Sequence, residues 1–153
     1  MISLELARAL RTAGLRWHPR SGDAFVIETA AGAGDGSAEA SGEAFDEIYT
    51  VSEMTAEVHE HPTGSLIGFN GTTEWALDSV ELADTLWLPR EHQLRGLLRD
   101  GFRSLVAEHP LYLVTAVIRG QTRTFEAETA EDAYGEAVLD LIVQSLVVDD
   151  SGD

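Results

Sequence analysis

Between Ala130 and Leu146, apolar side chains recur at three- and four-residue intervals, the spacing of one face of an α-helix. The stripe consists of Ala130, Ala133, Tyr134, Ala137, Val138, Leu141, Ile142 and Leu146. Thr129, with Asp132 three residues on, resembles a capping box in which Asp replaces the usual Glu. Burying each large side chain of this stripe contributes on the order of 1.5 to 3 kcal/mol. Any fold of this chain must therefore offer this helix an apolar surface, most simply one face of a sheet.

Several segments before this helix have the pattern of β-strands. Leu111–Ile118 is the most apolar of them, and Arg119-Gly120-Gln121 predicts a turn back into a strand over Thr122–Ala127. Residues 45–71 have the alternating pattern of an antiparallel meander, with turns predicted at 61–64 and 70–71 that would lead into a further strand around Trp75.

Two further helices are predicted from their end signals. Ser3 can cap a helix that Gly14 ends, and Pro89 suits the first position of a helix that Gly101 ends. We therefore predict an α+β fold in which an antiparallel sheet of about five to six strands, built from meanders and hairpins, is packed by two to three helices.

The length of 153 residues is that of one domain, so we predict a single α+β domain over residues 1–153. Residues 29–43 contain mostly Ala, Gly, Ser and acidic side chains without any apolar period, and they predict a flexible loop within that domain. The acidic end at 147–153 is expected to fray.

The charge and the missing residue types exclude several classes of function. A net charge of -17 repels phosphate backbones and anionic lipid headgroups, so neither nucleic acid nor a membrane is an expected partner. The chain has no lysine, which a Walker-type phosphate loop or a Schiff-base enzyme requires, and no cysteine for thiolate metal sites or disulfides. We find neither a signal peptide nor an apolar run of about 18 residues, and we expect a soluble, cytoplasmic protein.

One cluster has the composition of a metal site. In a strand, Glu57, His59 and His61 project from the same face, and two imidazoles with one carboxylate are the ligands of many zinc and non-haem iron centres. The same three positions are also the polar half of an alternating strand, which is typical of a solvated face without any metal. We favour the solvated face, and a divalent metal at these residues is the alternative.

Large aromatic side chains offer a second kind of site. Trp75 and Trp87, with Arg90 close in sequence to Trp87, are candidates for a binding face, because aromatic and arginine anchors carry much of the energy where proteins meet. Packing of the tryptophans in a core is the competing interpretation. No motif marks a serine nucleophile, and the sequence indicates no catalytic residue.

Three stretches resemble a family of short actinobacterial proteins, some of which are labelled pilus assembly proteins. They are SLELARALRTAGLRWHPRSGDAF, IGFNGTTEWALDSVELADTLWLPREHQLRGLL and EDAYGEAVLDLIVQSL. The label suggests a septum-site-type ATPase, but this chain lacks the glycine-lysine phosphate loop and is too short for such an ATPase. The resemblance therefore implies no activity and no catalytic residue here.

These observations favour a non-enzymatic interaction module that presents an acidic surface to a basic or arginine-bearing protein. A small metal-binding protein or metal-dependent enzyme that uses Glu57, His59 and His61 is one alternative, and a self-associating structural domain that forms a homo-oligomer is another.

Overall fold

The structure, a computed structural model, describes residues 1–28, 48–51, 56–61, 64–69 and 79–149. Side chains are described for 1–28, 48–51 and 82–147. The predicted loop at 29–43 lies outside these ranges, as do residues 150–153 of the predicted tail. The fold is α+β, as predicted, with three α-helices in the described residues.

The chain divides into two compact units. One comprises Met1–Trp17 and Leu88–Asp153, and the other comprises His18–Trp87. The described elements of the chain, in order, are α1 (Leu4–Thr12), β1 (Ala24–Ile27), β2 (Ile48–Thr50), β3 (Ala56–His61), β4 (Gly64–Phe69), β5 (Ser79–Glu81), β6 (Thr85–Leu88), α2 (Glu91–Leu98), β7 (Phe102–Glu108), β8 (Leu111–Ile118), β9 (Gln121–Ala127) and α3 (Ala130–Asp149). Short 3₁₀ turns follow β5 and α2.

The predicted single sheet of five to six strands is wrong. The described strands form three three-stranded sheets, with the orders β2-β1-β6, β3-β4-β5 and β7-β8-β9. A continuous meander would have paired β2 with β3, but β2 pairs antiparallel with β1 instead. Phe25 stacks on its cross-strand neighbour Tyr49 at 5.7 Å between ring centroids, which helps to fix this pairing.

Two antiparallel pairs lie where hairpins were predicted. β3 pairs with β4 from Ala56↔Phe69 to His61↔Gly64, and the predicted Pro-Thr turn between them lies outside the described residues. β8 pairs with β9 up to Ile118↔Gln121, which leaves Arg119-Gly120 as the loop. Both loop residues have positive φ, 52° and 79°, as a type I′ turn requires.

In the first unit, α3 packs against β8, β9, α1 and α2. The predicted stripe accounts for this, since Ala130, Ala133, Tyr134, Ala137 and Val138 are buried. Further along the stripe, Leu141 and Ile142 are half-buried and Leu146 is 57% exposed. The central strand β8 contributes Val114, Ala116 and Ile118 to the same core.

Local signals determine where α1 and α3 begin. The Ser3 hydroxyl accepts a hydrogen bond from Leu6 N–H at 3.4 Å, as predicted for a helix cap. The Thr129 hydroxyl accepts from Asp132 N–H at 3.1 Å, which is one half of the predicted capping box. In place of the other half, the Asp132 carboxylate accepts from Ser3 N–H at 2.7 Å and so joins the starts of the two helices.

The second unit has its own buried residues. Four of them are at most 1% exposed: Phe25 and Val26 in β1, Leu86 in β6, and Val51, which follows β2. Asp23 is also buried, and its carboxylate accepts a hydrogen bond from Arg20 N–H at 2.9 Å, which closes the turn that leads into β1. None of the helices in the described ranges is long and apolar enough to cross a membrane.

Candidate functional site

A surface pocket of about 560 Å³ lies between α1, β9 and α3, all in the first unit, and we call it the acidic pocket. Its volume is within the range of small-ligand sites. The apolar part of its lining comes from all three elements, with Leu6 buried and the others half-buried: Leu6, Ala9, Phe125, Ala127 and Leu139. These side chains give a bound molecule an apolar surface to cover.

The charged lining of the acidic pocket is entirely negative. It consists of Glu5, Glu126, Asp132 and Glu136, and none of the described residues that line the pocket is basic. Asp132 is occupied by its hydrogen bond from Ser3 N–H. Glu5, Glu126 and Glu136 are exposed and form no ion pair within the described part of the chain. Three carboxylates of the pocket therefore have no cationic partner among the residues that the structure describes.

An ion pair lies next to this lining. The N-terminal ammonium of Met1 is 3.0 Å from Glu131 Oε1, at the start of α3. Burial acts to raise the pKa of the Glu131 carboxyl, but the hydrogen bond from this ammonium, a backbone hydrogen bond and the attraction between the two charges outweigh it. The pKa of Glu131 is therefore lowered.

The two hydroxyls in the lining already take part in structural hydrogen bonds. Ser3 caps α1 through its hydroxyl, and the Thr124 hydroxyl lies 3.1 Å from that of Thr115 on the neighbouring strand. None of the described lining residues is a histidine that could act as their base. In this lining, exposed carboxylates lie beside buried and half-buried apolar side chains.

The predicted metal ligands lie in β3, which belongs to the second unit. Glu57, His59 and His61 occupy alternate positions of β3, as predicted, but their side chains lie outside the described ones. Where side chains are described, no three of the histidines and carboxylates are arranged to hold a metal ion. A metal at β3 therefore stays a prediction.

The predicted aromatic face is described only in part. Trp75 lies outside the described residues. Trp87 is half-buried in β6, and Arg90 is the exposed residue that caps α2, with its N–H donating to Gln93 Oε1 at 2.9 Å. The helix begins at Glu91, two residues after the predicted Pro89. A binding face made by these three residues stays a prediction.

Sequence reasoning did not find the acidic pocket. With 27 acidic residues in the chain, no single carboxylate stands out. Ser3 and Asp132, which border the pocket together, are 129 positions apart. The one local signal is in β9, where Thr124 and Glu126 alternate with the half-buried Phe125 and Ala127.

Comparison of the chain with protein-family models, with curated proteins and with solved structures finds no match. The resemblance to the actinobacterial family therefore stays a prediction.

Proposed function

We propose that this protein is a non-enzymatic interaction module whose acidic pocket holds an arginine- or lysine-bearing segment of a partner protein. One observation carries the proposal: Glu5, Glu126 and Glu136, which have no ion-pair partner among the described residues, line one pocket together with buried and half-buried apolar side chains. A basic side chain fits both parts, because its aliphatic stem can cover apolar atoms while its charged end meets the carboxylates.

The charge of the whole chain supports a basic partner. A net charge of -17 attracts cationic proteins over a distance set by the ionic strength and repels polyanions. Electrostatic complementarity of this kind accelerates encounter and rejects partners of the wrong charge. The apolar lining adds the contact area that charge alone would not supply.

A peptide titration tests this function. The probe is a short peptide of three arginine-valine repeats with blocked termini, and a peptide of glutamate-valine repeats is its charge-reversed control. We expect the basic peptide to bind and the acidic control peptide not to bind. The affinity of the basic peptide should fall as the salt concentration is raised, and its binding should shift the NMR signals of Phe125 and Leu139.

Two charge-matched variants locate the binding. Glu126→Gln with Glu136→Gln removes two carboxylates of the pocket, whereas Asp100→Asn with Glu108→Gln removes two exposed carboxylates elsewhere in the same unit. We expect the first pair to weaken binding at least about fivefold, or about 1 kcal/mol, and the second to leave it nearly unchanged. Equal losses in both pairs would show that the peptide responds only to net charge, and the proposal would be wrong.

A further inference from the structure

The strand that forms one wall of the acidic pocket is at the edge of its sheet. In the order β7-β8-β9, β9 is hydrogen-bonded to β8 along its whole length, from Gln121 to Ala127. No other strand of the described residues pairs with it. In an antiparallel pair, the N–H and C=O groups of alternate residues point away from the neighbouring strand. One row of backbone groups on β9 therefore has no strand partner in the described part of the chain.

The acidic pocket lies along this free edge. Four consecutive residues of β9, Thr124–Ala127, line it. Successive side chains of a strand point to opposite faces of the sheet, so a pocket confined to one face would be lined by alternate residues only. The opposite wall is formed by α1 and α3 through Leu6, Ala9 and Leu139. A chain segment held in the pocket would therefore run beside the exposed backbone of β9.

We infer that the basic partner segment binds as an additional β-strand, hydrogen-bonded to the free edge of β9. This inference rests on the proposed function and specifies the conformation of the partner. Four residues of strand span about 13 Å, so the bound core of the partner is short. Its side chains would alternate, with apolar ones against Phe125 and Leu139 and basic ones toward Glu126. Backbone hydrogen bonds would supply affinity, and the alternating side chains would supply specificity.

A second copy of this chain suits the edge poorly. Pairing of β9 with β9 would bring the same carboxylates together from both molecules, each with a net charge of -17. Like charges that face each other across a strand pair are destabilising. The occupant that the charges favour is a basic segment of a different protein.

Backbone methylation of the probe tests strand pairing apart from charge. Two versions of the arginine-valine peptide carry N-methyl groups, one on all arginine nitrogens and the other on all valine nitrogens. Methylation keeps every charge, but only one of the two sets of N–H groups can point at β9. We expect one version to bind at least about tenfold more weakly than the parent, because it loses its backbone hydrogen bonds to β9, and the other to bind within about twofold of the parent.

Amide hydrogen exchange on the protein gives the matching observation. With the parent peptide at ten times its Kd, either Thr124 and Glu126 or Phe125 and Ala127 should exchange about tenfold more slowly, because exchange then occurs only from the free form. The amides of β7, at the other edge of the sheet, are the internal control and should not change.

The two proposals fail in different ways. If the parent peptide binds, and loses affinity in the Glu126 and Glu136 variant, but both methylated versions bind as well as the parent, strand pairing is overturned and the proposed function stands. Strand pairing would also be overturned if the peptide bound but neither alternate pair of β9 amides exchanged its hydrogens more slowly. If the parent peptide does not bind, or the two charge-matched variants lose affinity equally, the proposed function itself fails.

Discussion

Tyr134 is the largest fully buried side chain in the described residues, and its hydroxyl has no hydrogen-bond partner there. Its ring packs at a tilt against Phe102, with 5.6 Å between ring centroids. Burial raises the pKa of Tyr134, the negative charge of Glu91 adds to this, and Arg95 opposes it, so the hydroxyl stays neutral. A buried hydroxyl without a hydrogen bond lowers the stability of the fold.

We expect Tyr134→Phe to leave the fold intact and to raise the free energy of unfolding by about 1 kcal/mol, because a buried hydroxyl without a partner costs about 1–3 kcal/mol. Urea denaturation measures the change. Tyr112→Phe is the control, since Tyr112 is 36% exposed and its hydroxyl can be hydrated. A loss of stability in Tyr134→Phe would mean that the hydroxyl has a partner.

Glu131 makes the stability depend on pH in a defined direction. The pKa of Glu131 is lowered in the folded protein, so its ionised carboxylate stabilises the fold above the unfolded-state pKa of about 4.3. This stabilisation is lost as the pH falls through the folded-state pKa. The side chains of Met1 and Glu131 are 54% and 26% exposed, and we expect this ion pair to contribute only about 0.2–1 kcal/mol to stability.

Glu131→Gln should therefore be less stable than the wild type at pH 6, and the difference should shrink as the pH falls below about 4. Urea midpoints over this pH range measure it. Glu108→Gln, at an exposed carboxylate of β7, should show no such trend. A difference that grows toward low pH would contradict the assignment.

At the scale of elements, α1 approaches α3 closely at Gly135. A Cβ atom placed on Gly135 would lie 2.6 Å from Leu6 Cδ2 and 3.2 Å from Ile2 Cδ1, so the glycine allows the two helices to pack. Gly96 in α2 is the opposite case, because a Cβ atom there would meet nothing within 4 Å.

This contrast predicts different outcomes for the same substitution. Gly96→Ala should stabilise the protein by about 0.5–1 kcal/mol, the usual gain in a helix interior. Gly135→Ala should not show this gain and should lower stability, because Leu6 must move from its packed position. Thermal unfolding of both variants checks this. Equal stabilisation would show that α1 does not pack on α3 as described.

The sequence predicted those elements whose signals are local. The starts of α1 and α3 follow from Ser3 and Thr129, and the β8–β9 loop follows from Arg119-Gly120. It did not predict β7, whose alternation is broken where its register with β8 shifts between Phe102 and Ser104. Nor did it predict that β2 pairs with β1, because strand pairing depends on contacts distant in sequence that no local pattern records.

At the scale of the whole molecule, charge and site were predictable to different degrees. The net charge of -17 can be read directly from the sequence, and the basic partner that it predicts stays a proposal. The location of the acidic pocket cannot be read there, because Glu5, Glu126 and Glu136 come from three elements that meet only in the fold. The two compact units add a further level of organisation that composition does not reveal.

Leu6 belongs both to the lining of the acidic pocket and to the contact between α1 and Gly135. A partner bound as proposed would contact this side chain, and its affinity would then be thermodynamically linked to the packing of α1 on α3. Variants at position 135, which the pocket does not include, would consequently act as remote modulators of binding, and a tightly bound partner would compensate for a loosened α1.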